Sequence, residues 1–251
     1  MSVAEVVAIL AVGVAAGTIN TVVGSGSLIT FPTLLALGYP ALVANVSNTV
    51  GLFPGTVSGS IGYRRELAGQ GRRALVLGGA ALLGGLCGGL LLLALPPTSF
   101  ERVVPYLILV ACGLIAFQGR LSTWLARHRA AAAHRPPALL VFGVFVTGLY
   151  GGYFGAAQGV ILIALLGILL ADDLQRLNAL KNVLTAAVSG VAAILFAVAG
   201  PVAWPPAVLL AIGAVLGGQL GAVLGRRMRP AVLRVAIVAV GLLVAVRLLI
   251  G

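Results

Sequence analysis

Charge is what this sequence has least of. Of its 251 residues only 8% are Asp, Glu, Lys or Arg, while 61% are hydrophobic. Soluble domains carry about 25% charged residues, and with a mean hydropathy of +1.16 the composition is that of an integral membrane protein. No segment is left over for a soluble domain of useful size. Negative charge is scarcer still. The five carboxylates are Glu5, Glu66, Glu101, Asp172 and Asp173, all at the ends of apolar segments. The two histidines, His128 and His134, fall in a basic loop where metal binding is not expected. General acid–base chemistry needs positioned partners. Membrane depth offers none, so the sequence does not read as an enzyme and calls for no metal or cofactor. Cys87 and Cys112 stand apart in apolar segments with no CxxC pair, which suggests small buried thiols. The start, Met1-Ser-Val-Ala-Glu5, lacks the positive region of a cleaved signal, so the first segment is expected to stay in the membrane.

The positive charge that is present carries the topology. Sixteen Lys and Arg give a net charge of +11, but they lie in short loops between apolar runs. That is topology control rather than a nucleic-acid surface, and no nucleic-acid partner is expected. Five apolar segments can be read in each half: about 4–22, 26–38, 41–62, 73–95 and 100–118, then about 138–155, 158–171, 176–199, 204–225 and 230–250. Most are long enough for a hydrocarbon core of about 30 Å; the second of each set, at about 13 residues, is too short. Twelve of the basic residues form three clusters: Arg64, Arg65, Arg72 and Arg73; Arg120, Arg127, Arg129 and Arg135; Arg226, Arg227, Arg229 and Arg234. All three fall on one side only if each half begins with a hairpin, a helix whose short partner turns back. The positive-inside rule makes that side cytoplasmic and both termini periplasmic. Five segments is an odd number, so the second half enters the membrane inverted. The expected fold is all-α: a polytopic bundle of two inverted-topology repeats, each a broken-helix hairpin plus three transmembrane helices. Residues 1–118 form the first repeat, 119–137 a cytoplasmic basic linker and 138–251 the second repeat.

Glycine is abundant, at 35 residues, and it falls in two kinds of place. Gly78, Gly79, Gly84, Gly85, Gly88 and Gly89, with Gly213, Gly217, Gly218, Gly221 and Gly225, have the spacing of close helix packing, within the fold or across a homodimer face. The others interrupt helices. Gly17–Pro32 lies inside a run from Val6 to Tyr63 without a single charge, yet contains Gly24-Ser-Gly-Ser27. A matching interruption spans Gly148–Ile163. Irregular backbone at membrane depth is tolerated only where it is buried in protein or lines a cavity, and paired interruptions point to a transporter's binding site. Neutral polar groups gather in the same zones: Asn20, Ser25, Ser27, Thr30, Asn45, Ser47, Asn48 and Thr49, then Gln158, Asn178, Lys181, Asn182 and Thr185. The N-terminal ends of the two short helices and Lys181 favour an anion, and no carboxylate lies deep enough to bind a cation.

Four runs, Gly24-Ser-Gly-Ser-Leu-Ile-Thr-Phe-Pro32, Ala44-Asn-Val-Ser-Asn-Thr49, Gly151-Gly-Tyr-Phe-Gly-Ala-Ala-Gln-Gly159 and Asn178-Ala-Leu-Lys-Asn182, resemble those of the TauE/SafE family of sulfite exporter-like permeases. The sequence departs at Ala157, where the family often has a further glycine. The resemblance covers both repeats in order and implies a bacterial inner-membrane permease for sulfite, sulfonates or related anions. The expected function is export of a small sulfur oxyanion by alternating access. The lipid bilayer and the anion are then the partners. Asn20, Ser25, Gly26, Ser27, Asn48, Ala157, Gln158, Lys181 and Asn182 are the expected binding residues, placed between the two hairpin tips. Import or exchange of another organic or sulfur-containing anion, and a non-transporting membrane scaffold, are the alternatives.

Overall fold

The computed structural model describes residues 1–127, 137–224 and 231–250. Among them ten α-helices follow one another, and there is no strand. They are α1 (Val3–Val22), α2 (Ser27–Ala36), α3 (Ala41–Gly62), α4 (Gly71–Ala94), α5 (Pro97–Arg127), α6 (Pro137–Tyr153), α7 (Gln158–Leu169), α8 (Leu174–Ala199), α9 (Trp204–Leu224) and α10 (Ala231–Ile250). Each expected segment is a helix, with ends shifted by a few residues. The largest difference is α5, which continues to Arg127, so 119–127 is helical. His128, His134, Arg129, Arg135, Gly225, Arg226, Arg227 and Arg229 lie outside the described residues. Five of the described helices, α1, α4, α5, α8 and α9, are long and apolar enough to cross a membrane. The ends follow local chemistry. Ser2 and Glu5 close a capping box on α1, and the Asp173 carboxylate accepts from the Gln175 N–H to cap α8.

The two halves interleave. The tightest pairings are α1 with α9, α3 with α9, and α4 with α6, followed by α3 and α4 with α8. Further pairs join α5 to α10, α2 to α10 and α5 to α7. Glycine makes the closest of these approaches. Gly13 lies against Leu210 and Gly213, Gly17 against Ala214, and Gly221 against Thr18 and Thr21. The numbers rise together, so α1 and α9 run the same way. By the same test α3 runs with α9, where Gly51 meets Leu210, Gly55 meets Ala214 and Gly62 meets Ala222. On the other side α4 runs with α6, where Gly148 meets Ala81 and Gly152 meets Gly85, and with α8, where Gly85 meets Val188 and Gly89 meets Leu195. Gly78 and Gly79 have no neighbour within 4 Å of where a Cβ would stand. Polar groups lock the same seams. Thr18 Oγ1 donates to the Gly217 carbonyl at 3.1 Å, Ser58 Oγ to the Val215 carbonyl at 2.8 Å, and Gln219 Nε2 to the Ser58 carbonyl at 2.8 Å. In lipid, where apolar burial between helices gains little, such close contacts carry the association.

Cys112 is buried as expected, but Cys87 is exposed. The reason is geometric. Gly84 and Gly88 turn one side of α4 to α6, Gly85 and Gly89 turn another to α8, and position 87 is left on the outer face. At the basic end, Asp172 joins α4 to α8 through Arg73 at 3.0 Å and Arg176 at 2.8 Å. Arg176 also donates to the Ala68 carbonyl, and Gln70 to the Arg176 carbonyl.

Two measurements check this packing. A methyl at Gly84 or Gly217 runs into the carbonyl of Phe145 or Val14, so Gly84→Ala and Gly217→Ala should each cost about 1–3 kcal/mol in detergent unfolding. Gly78→Ala, with open space, is the reference and should cost nothing, gaining up to about 1 kcal/mol of helix propensity. Burial alone would raise the Asp172 pKa, but the Asp173 N–H, Arg176 and Arg73 together outweigh it and hold the carboxyl below its usual value. The contribution is therefore complete above the ordinary Asp value of about 3.9 and is lost as pH falls through the lowered folded value. Asp172→Asn should flatten that acid loss in unfolding scans, with a small effect at neutral pH because both arginines are partly exposed.

Candidate functional site

A helix that ends buried inside the fold leaves carbonyls with no intrahelical donor and no water to replace one. At the end of α1 the Ile19, Asn20, Thr21 and Val23 carbonyls each find a donor. The Ile19 carbonyl accepts from the Val23 and Gly24 N–H groups at 2.7 and 3.1 Å, in a turn where Gly24 has φ +89°. The Asn20 and Thr21 carbonyls accept from Lys181 Nζ at 3.2 and 3.1 Å, and Thr21 also from Asn178 Nδ2 at 3.4 Å. Gln118 Nε2 donates to the Val23 carbonyl at 3.3 Å. The end of α6 is treated alike. The Tyr150 carbonyl accepts from Phe154 and Gly155, and the Tyr153 carbonyl from Asn45 Nδ2 at 3.0 Å. Tyr150 Oη donates to the Ala156 carbonyl at 2.6 Å. The capping is crossed: α8 in the second half closes α1 in the first, and α3 in the first closes α6 in the second.

The two breaks also touch. The Gly159 N–H donates to the Gly24 carbonyl at 3.1 Å, and a Cβ on either glycine would stand 2.5 Å from the other's Cα. Beside this contact lies a small polar cavity of about 20 Å³, room for about one water. Its walls are Asn20 and Ser27 from the first break, Gly151, Gly155 and Gln158 from the second, Thr49, Leu52 and Thr56 on α3, and Thr185 and Ser189 on α8. Leu52 and Thr185 each stand twelfth in their helices, close to the middle of both.

The hydrogen bonds around the cavity decide its polarity. Thr49 and Thr56 give their protons to the Asn45 and Phe53 carbonyls, at 3.0 and 2.7 Å. Asn48 Oδ1 accepts from Thr30 Oγ1, and Asn48 Nδ2 donates to Ser27 Oγ at 3.1 Å. Ser27 therefore keeps its own proton for the cavity it lines. Gln158 Nε2 and Thr185 Oγ1 are buried and have no hydrogen-bond partner. Three of the lining residues thus carry uncommitted donors, and no carboxylate lines the space. Such a site suits a negatively charged guest without the cost of burying several cations.

The expected residues divide accordingly. Asn20, Ser27 and Gln158 line the cavity. Asn48 stands behind Ser27 and orients it. Lys181, only 1% exposed, neither reaches the membrane surface nor lines the cavity; it holds the end of α1. Asn182 is buried outside the cavity with Nδ2 unpartnered, as is the Ser25 hydroxyl. Gly26 fits against Ala16 and Asn20. Ala157 is buried with φ 58°, a left-handed conformation rare outside glycine. The helix-start N–H groups expected to face an anion are largely spent, Gln158 on the Gly155 carbonyl and Gly159 on Gly24. Thr56 and Ser189 were not among the expected residues, although they continue the stripes Asn45, Thr49, Leu52 and Asn178, Asn182, Thr185 at three- and four-residue steps. That spacing is the signal that finds them.

The sequence profile of the family described as "Sulfite exporter TauE/SafE" matches residues 9–248. A "Probable membrane transporter protein" of Haemophilus influenzae is 28% identical over 214 residues, covering 84% of this chain and 81% of its own. The "Probable membrane transporter protein YfcA" of Escherichia coli K12 is 25% identical over 239 residues, covering 95% and 87%. No solved structure matches.

The contact between the breaks can be weighed against backbone strain alone. Gly38 also has positive φ, +87°, but nothing lies within 4 Å of its Cβ position. Gly38→Ala should cost about 1–2 kcal/mol from the left-handed conformation. Gly24→Ala should cost about 1–3 kcal/mol more, because its methyl must displace Gly159. Paired unfolding curves in one detergent measure the excess.

Proposed function

Because this chain belongs to the sulfite exporter TauE/SafE family, a family of membrane transporters and not of enzymes, we propose that it exports a small sulfur oxyanion, sulfite or an organosulfonate, across the bacterial inner membrane. The observation that carries this reading is a cavity without carboxylates whose lining residues include three with uncommitted neutral donors, Ser27 Oγ, Gln158 Nε2 and Thr185 Oγ1. Asn20 and Ser189 complete its polar lining. Lys181, Asn178 and Asn45 act one layer back, holding the broken helices that present Ser27 and Gln158.

Inverted repeats underlie the mechanism. Exchanging α1–α5 with α6–α10 turns the α1–α9 pair into α6–α4, α3–α9 into α8–α4 and α2–α10 into α7–α5, and leaves α3–α8 and α5–α10 as themselves; all of these pairs are observed. The ascending contacts that make α1 and α3 run with α9, and α6 and α8 run with α4, support opposite directions for the two halves. They also support hairpins: α1 and α3 start level with each other, so the chain between them must return, and α2 is that return. The basic loops then face the cytoplasm, with both termini periplasmic.

A cavity of about 20 Å³ is too small for an oxyanion, so passage requires the Gly24–Gly159 contact to part. The seam between the breaks is thus the gate, and alternating access opens it toward one side at a time. Export of an anion from a negative interior is downhill by about 2.3 kcal/mol per charge per 100 mV, so no coupling ion is needed.

Proteoliposomes loaded with sulfite or methanesulfonate test this. Efflux should exceed that from protein-free vesicles and speed up when the interior is made negative. Losing a hydrogen bond to a charged group costs about 1.5–3 kcal/mol, so Gln158→Leu and Thr185→Val should each slow flux about tenfold or more while the protein stays folded. Efflux equal to that of empty vesicles overturns the proposal. Flux that is obligatorily inward or exchange-linked replaces export with import or exchange at the same site.

A further inference from the structure

We propose that the outer groove between α4 and α6 binds an anionic phospholipid of the leaflet next to the basic loops, with its phosphate on Arg72 and Arg73. The groove is separate from the transport cavity, and the proposal does not depend on what that cavity carries. Two hollows of about 260 and 540 Å³ share Val76 and Val141 and so run together. The first is bounded by Arg72, Arg73 and Leu170 at the basic end, and the second is walled by Leu83 and Phe142. Gly79 lines the second hollow, and a side chain added there would meet nothing within 4 Å. Leu83 and Phe142 are more than half exposed.

Length and charge identify the occupant. From Arg72 to Leu83 is eleven residues of helix, about 17 Å, and one leaflet of a hydrocarbon core of about 30 Å is about 15 Å deep. The groove therefore matches one acyl chain lying along it. Asp172 takes one guanidinium nitrogen of Arg73, while Arg72 has no ion pair among the described residues. The pair keeps a net positive charge at the depth of the headgroups, where a phosphate can accept from both. A second copy of the chain fits less well. A two-fold contact through this face would set Arg72 and Arg73 of both copies at the same depth, and like charges would oppose it.

The test uses the purified chain in detergent with added dioleoyl phosphatidylglycerol or dioleoyl phosphatidylcholine, and native mass spectrometry to count what stays bound. The wild type should hold one phosphatidylglycerol per chain at concentrations where phosphatidylcholine leaves. The Arg72→Gln, Arg73→Gln double variant should weaken that retention about thirtyfold. Gly79→Leu fills the groove without touching either arginine, and should lose the lipid while unfolding at the wild-type temperature. Arg64→Gln with Arg65→Gln, at another basic hollow, should change nothing. Equal loss from that control pair, undiminished binding in Gly79→Leu, or a Gly79→Leu effect on dimer mass in place of lipid would each overturn the proposal.

Discussion

A helix broken inside the fold has to find donors for its terminal carbonyls, and everything else in this molecule depends on how that is done. An unpaired carbonyl in hydrocarbon costs several kcal/mol. Here the donors come from across the fold. Lys181 and Asn178 reach from α8 to the Asn20 and Thr21 carbonyls, and Asn45 reaches from α3 to Tyr153. Neither break is complete within its own half. The halves must interleave before either can be buried, and the Gly159 N–H on the Gly24 carbonyl joins the breaks directly.

Interleaving in turn demands that helices approach more closely than ordinary side chains permit. The glycine rows on α4 and α9 serve that end. Gly84, Gly88 and Gly152 let α4 and α6 meet backbone to backbone, and Gly17, Gly213 and Gly217 do so for α1 and α9. With those seams tight, α3 and α8 come together near their midpoints, and their polar stripes meet beside the breaks. The same constraint thus produces both the rigid frame and the polar cavity.

Much of this was legible in the sequence, for physical reasons. Membrane depth makes any polar residue or glycine cluster conspicuous, so Gly24–Ser27, Gly151–Gly159, Asn45–Thr49 and Asn178–Asn182 stood out, and the helices followed from apolar runs bounded by Pro, Gly and Arg. Partners were not legible. Lys181 bonds to carbonyls about 160 positions away, and nothing local to Asn178–Asn182 says whether that ammonium meets an anion, a headgroup or a helix end. Thr56 has Ser58 and Ser60 close by, and Ser189 sits among small apolar residues, so a hydroxyl bonding its own helix is the ordinary outcome at both; only continued spacing from Thr49 and Thr185 sets them apart. The exposure of Cys87 depends on which sides of α4 the glycines occupy, a matter of helix rotation. At Ala157 the left-handed backbone is imposed by the break and its Tyr150 brace, not by the residue itself.

The central claim is that a small oxyanion pauses between the two breaks, held by neutral donors from both. Selenite has the shape and charge of sulfite and carries an anomalous scatterer. Crystals grown with it should show a selenium peak in the cavity beside the Gly24–Gly159 contact, within hydrogen-bond reach of Ser27, Gln158 and Thr185. A peak confined to the basic hollow at Arg64 and Arg65, with none between the breaks, would contradict the claim.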